Sequence, residues 1–516
     1  MFHVRLALTF ATLLSIIPSA RADIWTFAAQ QLTASLGAIS SARYPHYTNP
    51  TTQAWVITDA SAWTSGFFPG ALWLMYQQTG DPSWRTAAEA RQAGIEGQKT
   101  RTNTHDLGFM FFTSFGNASR LTGHDPYRQV VLTAAASLAT RYSSVVGCIK
   151  TSFPSGTSTD FKTIIDTMMN LELLFWASQH GGQAAWAQMA QSHALRAAAE
   201  HVRSDGSTYH VVNYSPTTGA VKGRSTAQGY NTESTWARGQ AWAIYGFTMA
   251  YRYTRHSTLL QAARLTADYW ISHVPADEVP YWDFEAPNLT TQPRDSSAAA
   301  IAASGLLELS QLDPDATRRQ AYRAQAQATL TSLSSPAYLA QGTPNDAILL
   351  HGTSNQPKGN VDTGLIYGDY YFLEAMIRAQ DLPPQTSDVN LPVAAVTASA
   401  HDGNVPQNTL DNNLNTRWSA QGDGQWIRFD LGATKTVSQL AAAWYLGNTR
   451  TAQFEVQTSS TGTTWTTRFT GVSSGTTTQS ERYDFPDVAA RYVRILGHGN
   501  SQNTWNSITG VDIYGH

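Results

Sequence analysis

The composition of the chain changes abruptly at the stretch "LEAMIRAQDLPPQTSDVNLP". Upstream, the sequence is rich in Ala, Leu and Trp and contains helix-forming runs such as "AAEARQAGIEGQ" and "QMAQSHALRAAAEHVR"; downstream, Thr, Ser, Val, Asn and Gly alternate in short runs typical of strands. A single helical or single β domain cannot accommodate both patterns. The sequence therefore predicts a helical domain over 23–382, a Pro-rich linker over 383–392 and a β domain over 393–516.

The upstream region predicts roughly a dozen helices separated by short loops that carry Gly, Pro, His and Trp. Helices joined in hairpins in an even number can form an open solenoid or a closed toroid. No repeat of fixed period is visible in the sequence, which favours the toroid.

The first residues have the pattern of a secretory signal. Arg5 precedes an apolar run from Leu6 to Ile17, and Ala20-Arg21-Ala22 supplies small residues at a cleavage position. The run is too short to span a bilayer, so we expect no membrane span. The sequence predicts a signal peptide over 1–22 and a secreted protein that begins near Asp23.

Charge and cysteine content exclude several classes of protein. The formal net charge is −3 and only 14% of residues are charged, so no basic surface for nucleic acid is expected, and an acidic ligand must be recognised locally. The lone cysteine, Cys148, excludes an intrachain disulfide and predicts a small buried side chain.

Six blocks of the helical region combine acidic residues with aromatics, histidines and an arginine. Aromatic faces stack on sugar rings, a guanidinium pairs with a carboxylate, and two Asp side chains can share acid and base roles, so these blocks indicate a pocket for a sugar acid. They are "WTSGFFPGALW" from Trp63, "HDLGFMFF" from His105, "IIDTMMNLELLFWAS" from Ile164, "STYHVVNY" from Ser207, "STAQGYNTESTWARGQAWAIYGF" from Ser225, and "YWDFEAP" through "PRDSSAAAIAASGLLEL" from Tyr281.

Two aspartates are candidates for catalysis. Asp166 lies among Ile, Met and Leu residues, and an apolar setting raises the pKa of a carboxyl group toward the working pH. Thr163 and Asp166 also fit a capping box at a helix start. Asp106 precedes a helix predicted to begin at Leu107, where the residue would serve as an N-cap. The spacing alone leaves both interpretations open.

Arg238 and Trp242 lie four residues apart and therefore on one helical face. This pair fits recognition of a carboxylate beside a stacking platform. A buried arginine satisfied by an acid of the core, with Trp242 as filler, fits the spacing as well.

These blocks, with "GLIYGDYYFLEA" from Gly364, resemble the unsaturated glucuronyl hydrolases over most of residues 25–380. The resemblance implies an (α/α)6 barrel and a hydrolase that removes a 4,5-unsaturated uronic acid from the non-reducing end of lyase-generated oligosaccharides. It implies Asp166 as the general acid/base and Asp106 as the second essential carboxylate. The sugar subsite that it implies consists of Trp63, His105, His210, Gln228, Arg238, Trp242 and Tyr367.

The resemblance implies that Asp166 protonates C4 of the ring alkene and helps water to add at C5. No cofactor is expected, and no metal in this domain: His105 and His210 are far apart and lack a ligand spacing. Members that favour sulfated fragments share a Ser-x-x-Ser-x-Lys pattern. Here the stretch "TSNQPKGNVD" keeps Ser354 but places Pro357 and Gly359 at the other two positions, so a preference for sulfated substrates is not indicated, although Lys358 is close enough to compensate.

The C-terminal stretches "LDNNLNTRWSAQGDGQWIRFDLG" and "ARYVRILGHGN" resemble a discoidin-type (coagulation-factor type C) jelly roll. The resemblance implies a β-sandwich that binds a polysaccharide surface. Alternation along the strands predicts that Trp418 and Trp426 belong to the core. Asp411, Asn413 and Thr416 match part of a structural calcium loop, but Gly510 stands where an acidic partner is usual.

Two further functions remain open at the level of sequence. One is the related unsaturated rhamnogalacturonyl hydrolase on the same barrel, which the long match to the glucuronyl blocks disfavours. The other is a non-catalytic carbohydrate-binding protein, which the retention of both Asp106 and Asp166 disfavours.

Overall fold

The computed structural model describes residues 18–151, 159–381 and 389–515. The chain divides into two compact units between Leu382 and Pro383. Residues 1–17 of the predicted signal peptide and residues 383–388 of the predicted linker lie outside the described residues.

The first unit is built from helices whose ends follow local sequence signals. Asp81 caps the helix Pro82–Ala93 by accepting a hydrogen bond from the Ser83 amide, with Pro82 at the first helical position, and Gly80 ends the helix Phe67–Thr79 with φ of 71°. The described α-helices are α1 Pro18–Ala38, α2 Phe67–Thr79, α3 Pro82–Ala93, α4 Asn117–Thr122, α5 Asp125–Ala139, α6 Thr167–Gln179, α7 Ala184–Glu200, α8 Ala237–Thr254, α9 Ser257–His273, α10 Ser296–Leu312, α11 Ala316–Leu333 and α12 Ile366–Asp381.

Six helical segments form a closed inner ring. The segments are α2, a π-helix over Gly108–Gly116 that continues into α4, then α6, α8, α10 and α12; each packs against the next, and α12 packs against α2. Helices α3, α5, α7, α9 and α11 each pack on the outside of an inner partner, and α1 adds Trp25 and Phe27 to the same core. The helical unit is therefore an (α/α)6 barrel, the closed alternative predicted from the sequence.

Small residues allow the inner helices to lie close together. A Cβ atom on Gly305 of α10 would lie 2.9 Å from the Cα of Tyr245 in α8, and one on Gly246 would lie 2.5 Å from Met168 in α6. Short strands decorate the ends of the helices: β1 Tyr44–Thr48 with β2 Trp55–Thr58, β3 Tyr142–Ser143 with β4 Cys148–Ile149, and the sheet β5 Phe161–Ile164, β6 Val211–Tyr214 and β7 Val221–Ser225.

Cys148 is buried, as predicted, and burial raises the pKa of its thiol to about 12, which keeps it protonated. In the part of the chain that the structure describes, no helix has both the length and the apolar character that crossing a membrane requires.

The second unit is a β-sandwich. Its strands are antiparallel and run in the order β10-β15-β11-β14-β12-β13, with β8 on β15 and β9 on β11. The strands are β8 Val389–Asn390, β9 Ala395–Ala398, β10 Trp418–Gln421, β11 Gln425–Trp444, β12 Ala452–Ser459, β13 Thr466–Val472, β14 Glu481–Asn500 and β15 Trp505–Gly515.

Strand β11 changes partners along its length. Its first part pairs with β9 and its last part with β15, while β14 accompanies it throughout. Alternate residues such as Ile427 and Phe429 point into the core. Trp418 is buried as predicted, but the prediction for Trp426 is wrong: it is half-buried, because its position alternates with the core-facing residues.

Residues at the end of the predicted linker, 383–392, contact the strands of the second unit. Val389 and Asn390 already pair with β15, and Leu391 is buried in the core of the unit. Two long-range hydrogen bonds hold these residues: the Asn390 side chain donates to Asp512, and the Leu391 amide donates to the carbonyl of Ile513. The last residues of the predicted linker therefore belong to the sandwich.

Candidate active site

A cavity of about 420 Å³ lies at the end of the barrel where the inner helices begin. Eight of the nine residues predicted for the site line this cavity, although they come from distant parts of the sequence: Trp63, His105, Asp106, Asp166, His210, Gln228, Arg238 and Trp242.

The ring places several of these residues together because they precede or begin an inner helix. Asp166 is the N-cap residue of α6, and Arg238 lies in the first turn of α8. Asp106 precedes the π-helix, and Trp63 precedes α2. The N-terminal ends of inner helices carry partial positive charge, which favours an anionic ligand at this end.

Asp166 and His210 meet through the pairing of β5 with β6. Ile164 pairs with Val211, and the Ile165 amide donates to the His210 carbonyl at 3.0 Å. This leaves Oδ2 of Asp166 3.6 Å from Nε2 of His210. Both atoms are buried and neither has a hydrogen-bond partner among the described residues.

His210 is neutral with its proton on Nε2. Burial lowers its pKa to about 3, with contributions from His201 and Arg238. Its Nδ1 accepts a hydrogen bond from the Ala227 amide at 3.2 Å, so Nε2 carries the hydrogen and directs it toward Asp166.

Burial raises the pKa of Asp166 from 3.8 to about 7. A backbone hydrogen bond and Arg238 oppose this rise, and the neighbouring charge of Asp106 adds to it. The structure does not contain the capping box that the sequence allowed. The Asp166 side chain makes no capping hydrogen bond, and the Thr163 hydroxyl lies 2.9 Å from Nε2 of His201 instead. Asp166 thus has the protonation behaviour of an acid that also serves as a base near neutral pH.

Asp106 does not cap the helix that follows it. The π-helix begins at Gly108, and its N-cap residue, Leu107, makes no capping hydrogen bond through its side chain. The Asp106 carboxylate instead accepts from the Thr104 hydroxyl at 3.0 Å and lies 3.4 Å from Nε2 of His105. Burial lowers the pKa of His105, a trend that Asp106 opposes.

The π-helix brings Asp106 near Asp166 because it packs against α6 so closely that no side chain fits at Gly108. A Cβ on Gly108 would lie 2.5 Å from the Cα of Asn170 in α6, and the Asn170 side chain accepts from the Phe109 amide at 2.9 Å. π-Helical segments are frequent at functional sites. The sequence gives no signal for this one.

Arg238 is fully enclosed and its guanidinium is occupied by protein groups. Nη1 donates to Asp295 at 2.7 Å and to the Thr353 carbonyl, and Nη2 donates to Gln228 at 2.9 Å and to the Ser354 carbonyl at 2.8 Å. The sequence also allowed Arg238 to be a buried arginine paired with an acid of the core. That acid is Asp295, the N-cap residue of α10. The sequence prediction missed this residue.

The aromatic residues around Arg238 differ in part from those expected. The guanidinium carbon lies 4.7 Å from the ring centre of Trp236 and 5.4 Å from that of Tyr367. Trp242 instead packs against Phe109, with ring centres 5.2 Å apart, while it still lines the cavity.

Tyr367 is the predicted residue that does not line the cavity. It is buried behind Trp63, with ring centres 5.0 Å apart, and burial raises the pKa of its hydroxyl to about 12. Its contacts with Trp63 and Arg238 support the cavity wall.

The segment "TSNQPKGNVD" forms one side of the cavity. It is a hairpin in which Asn355 pairs with Asn360, closed by a 3₁₀ turn that ends at Gly359 with φ of 74°. Ser354, Asn355, Lys358 and Asn360 line the cavity, with Lys358 exposed at its mouth. Asn355 and Asn360 were not predicted, and neither was His46, whose pKa is lowered to about 4 by burial and Arg238.

A second cavity, of about 410 Å³, lies at the opposite end of the ring and is lined by residues of the later turns of the inner helices. We call it the opposite-end cavity. Arg252 contacts Glu172 and Glu308 at 2.5 Å each, Arg378 lies 3.0 Å from Glu308, and the Ser304 hydroxyl donates to Glu374 at 2.5 Å. Phe109 lines both cavities.

Over the residues that the structure describes, no group of three or more His, Cys, Asp or Glu side chains is arranged to hold a metal. The predicted calcium loop of the second unit does bring Asp411, Asn413 and Thr416 together: the Asp411 carboxylate accepts from the Asn413 amide at 2.9 Å and from the Thr416 hydroxyl at 2.7 Å. A single carboxylate whose two oxygens already accept hydrogen bonds fits Ca²⁺ poorly. Calcium at this loop stays a prediction.

Comparison with known proteins gives consistent matches for both units. Residues 393–511 match the F5/8 type C domain model. The unsaturated glucuronyl hydrolase of Formosa agariphila is 43% identical over 328 residues, covering 62% of this chain and 80% of the relative. The unsaturated chondroitin disaccharide hydrolase of Streptococcus pyogenes serotype M1 is 37% identical over 330 residues, covering 63% and 82%. The crystal structure of an unsaturated glucuronyl hydrolase specific for heparin superposes with a TM-score of 0.67 at 37% identity, covering 70% of this chain and 97% of that one.

Proposed function

The chain belongs to the unsaturated glucuronyl hydrolase family and is a glycoside hydrolase, and from this premise we propose that it removes a 4,5-unsaturated uronic acid from the non-reducing end of lyase-generated oligosaccharides. The observation that carries the proposal is Asp166, a carboxyl group with a pKa of about 7 that lines the cavity and whose buried Oδ2 has no hydrogen-bond partner among the described residues.

In the proposed reaction, protonated Asp166 donates its proton to C4 of the C4=C5 double bond. Positive charge develops at C5 and on the ring oxygen, and the resulting carboxylate takes a proton from the water that adds at C5. The product is a hemiketal at C5. Its bond to the ring oxygen opens to a ketone, which leaves a hemiacetal at C1 that releases the remaining sugar.

His210 and Asp106 have supporting roles in this reaction. The Nε2–H of His210 faces Asp166 and stabilises its carboxylate after proton transfer. Asp106 lies close enough to help raise the pKa of Asp166, and its negative charge favours the positive charge that develops on the sugar.

In the proposal, the N-terminal ends of the inner helices and Arg238 recognise the uronate carboxylate. All four Nη hydrogens of Arg238 are already donated to protein groups, so direct pairing requires the substrate to replace Gln228 or the Ser354 carbonyl. Trp63, His105 and Trp242 provide the surface for the sugar ring.

Glycosaminoglycan fragments are the proposed substrate class, because relatives of similar identity are named for chondroitin disaccharides and for heparin. Unsulfated fragments are favoured in the proposal, because Pro357 and Gly359 stand at two of the three positions of the sulfate-associated pattern. Lys358 at the cavity mouth can take the place of the pattern's lysine, where this chain has Gly359.

The test is the ultraviolet absorbance of lyase-generated disaccharides. Hydration destroys the conjugated double bond, so we expect absorbance to fall and NMR to show a 5-keto product. Unsulfated and sulfated chondroitin disaccharides should be compared, with an unsaturated rhamnogalacturonan disaccharide as a third substrate. Faster turnover of the third substrate would establish the rhamnogalacturonyl alternative, and no turnover of any of them would refute the proposal.

We also propose that the protein is exported by residues 1–22 and that the second unit binds polysaccharide. Mass spectrometry of the protein recovered from the medium should place its first residue near Asp23. Helix α1 begins at Pro18, so cleavage there removes its first turn and leaves the core residues Trp25 and Phe27.

A further inference from the structure

Two arginines of the β-sandwich stack on one tyrosine. Arg417 lies just before β10 and Arg450 just before β12, and their guanidinium carbons lie 4.2 and 5.3 Å from the ring centre of Tyr445. Tyr445 follows the last residue of β11, so Tyr445 and Arg450 lie in the connection from β11 to β12, while Arg417 lies in the connection from β9 to β10. We call them the arginine pair and its tyrosine.

Neither guanidinium has an acid partner. Among the described residues, no carboxylate lies within ion-pair distance of Arg417 or Arg450. Nε of Arg417 is buried without a hydrogen-bond partner, while Nε of Arg450 donates to the Tyr445 carbonyl at 3.2 Å. Asp402 is near enough for Arg417 to contribute to its lowered pKa, but its carboxylate accepts hydrogen bonds from Asn404.

The same unit contains arginines that are neutralised in the usual way. Arg491 forms a two-point pair with Asp430, with Nε and Nη2 at 2.8 and 2.9 Å from the two carboxylate oxygens. Half-buried positive charges that repel one another and lack such a partner are stabilised when an anion binds between them. Burial lowers the pKa of Arg450, Tyr445 opposes this change, and the neighbouring positive charge of Arg417 adds to it.

The surroundings of the arginine pair suit a sugar polymer. Trp505 is half-buried and lies beside Tyr445, Arg450 and Asn500, with which it lines a small cavity of about 10 Å³. Aromatic edges and an amide beside two guanidinium groups are a combination that contacts both the rings and the acidic groups of a polysaccharide.

We propose that Arg417 and Arg450 form an anion-binding site for the carboxylate or sulfate groups of an acidic polysaccharide, an inference that rests on the proposed function of the second unit. The site holds the enzyme on its polymer and raises the local concentration of substrate without adding a contact to the catalytic cavity.

The test uses the full chain and measures binding to two acidic polymers, hyaluronan with carboxylates only and chondroitin sulfate with both groups, and to neutral dextran. We expect both acidic polymers to bind in a salt-sensitive manner and dextran not to bind. The variant Arg417→Gln/Arg450→Gln should bind at least about tenfold more weakly, because two charge-assisted contacts are lost. Binding of chondroitin sulfate alone would assign the site to sulfate.

The matched control is Arg482→Gln/Arg491→Gln, which removes the same charge from β14 of the same unit. Melting curves of both variants establish that the sandwich is folded. The inference is overturned if the two double variants bind equally, if the wild type binds neither acidic polymer at low salt, or if it binds only vesicles of anionic phospholipid. Disaccharide turnover should be unchanged in both variants. Absence of turnover in the wild type would refute the proposed function while leaving this binding result intact.

Discussion

The two cavities inside the helical ring are nearly equal in volume, at about 420 and 410 Å³, but their charged groups are in opposite situations. At the end that holds the proposed active site, which we call the catalytic end, Asp166 has no guanidinium within ion-pair distance among the described residues, and burial raises its pKa to about 7. At the opposite end, burial alone would raise the pKa of Glu308, but Arg378 and Arg252 outweigh it and lower the pKa.

The comparison teaches that burial by itself does not make a buried carboxylate reactive. Both acids are enclosed by the same ring of helices, and the difference lies in their partners. Arg252 and Arg378 lie in the last turns of α8 and α12, where they also compensate the negative ends of those helices. At the catalytic end, the corresponding arginine, Arg238, is bound to Asp295, which leaves Asp166 unneutralised.

The largest expected effect comes from removing the proton donor. Asp166→Asn keeps the shape of the side chain but cannot donate the proton, so we expect turnover of unsaturated disaccharides to fall by about 10²- to 10⁴-fold. Asp268→Asn, the same chemical change on the outer helix α9, is the control. A folded Asp166→Asn enzyme with the wild-type rate would remove Asp166 from the mechanism.

At the opposite end, the same kind of substitution should affect stability instead of rate. Glu308→Gln leaves Arg252 and Arg378 without their shared carboxylate, and we expect a loss of about 3–5 kcal/mol in the free energy of unfolding. Turnover per folded molecule should be unchanged. The control is Glu89→Gln, which removes a half-buried surface pair with Arg85 and should cost less than about 1 kcal/mol. Loss of turnover in folded Glu308→Gln would show that the two ends are coupled.

The sequence predicted much of this catalytic end but little of its electrostatics. The apolar neighbours of Asp166 were enough to predict a raised pKa. Its contact with His210 depends on the pairing of β5 with β6, across 44 positions, and such long-range pairing leaves no local signal. The opposite-end cavity went unpredicted for the same reason, since its glutamates and arginines are single charges scattered over separate helices.

One wrong detail has a geometric cause. Spacing placed Arg238 beside Trp242, one turn further along α8, but long side chains of a helix lean toward its N-terminus. Arg238 in the first turn therefore extends past the start of the helix to Trp236, Asp295 and the hairpin at Ser354. The spacing identified the correct face and the wrong neighbour.

The pH dependence of stability should distinguish the two carboxylates. The folded-state pKa of Asp166 is raised from 3.8 to about 7, so wild-type stability declines as pH rises from about 4 through 7, and the full cost is present above 7. The raised pKa of Asp166 sets an upper limit of about 4 kcal/mol on the destabilisation of the folded state. We expect about half of this value because the cavity is open to water. Asp166→Asn should thus be more stable than wild type at pH 8.5 and not at pH 4.

Denaturant titrations at these two pH values measure the difference. Glu308 has the opposite sign: its lowered pKa gives stability above the unfolded pKa near 4.5 that is lost as pH falls. Turnover should also decrease as pH rises above about 7, because the donor form of Asp166 is lost. An activity profile that stays flat through this range would contradict the assignment of Asp166 as the acid.

The smallest effect is expected at Arg238, the cation of the catalytic end. Lys keeps the charge but loses the planar fork that binds Asp295, Gln228 and the hairpin carbonyls together, so Arg238→Lys should raise KM by about tenfold, with a smaller change in kcat. Arg252→Lys at the opposite end is the matched control and should leave KM unchanged. A substrate analogue without the carboxyl group separates the two possible causes. If Arg238 recognises the uronate, the analogue should bind wild type and variant alike; an equal loss for the analogue would mean that Arg238 acts by holding the hairpin of Ser354 and Asn355 against the cavity.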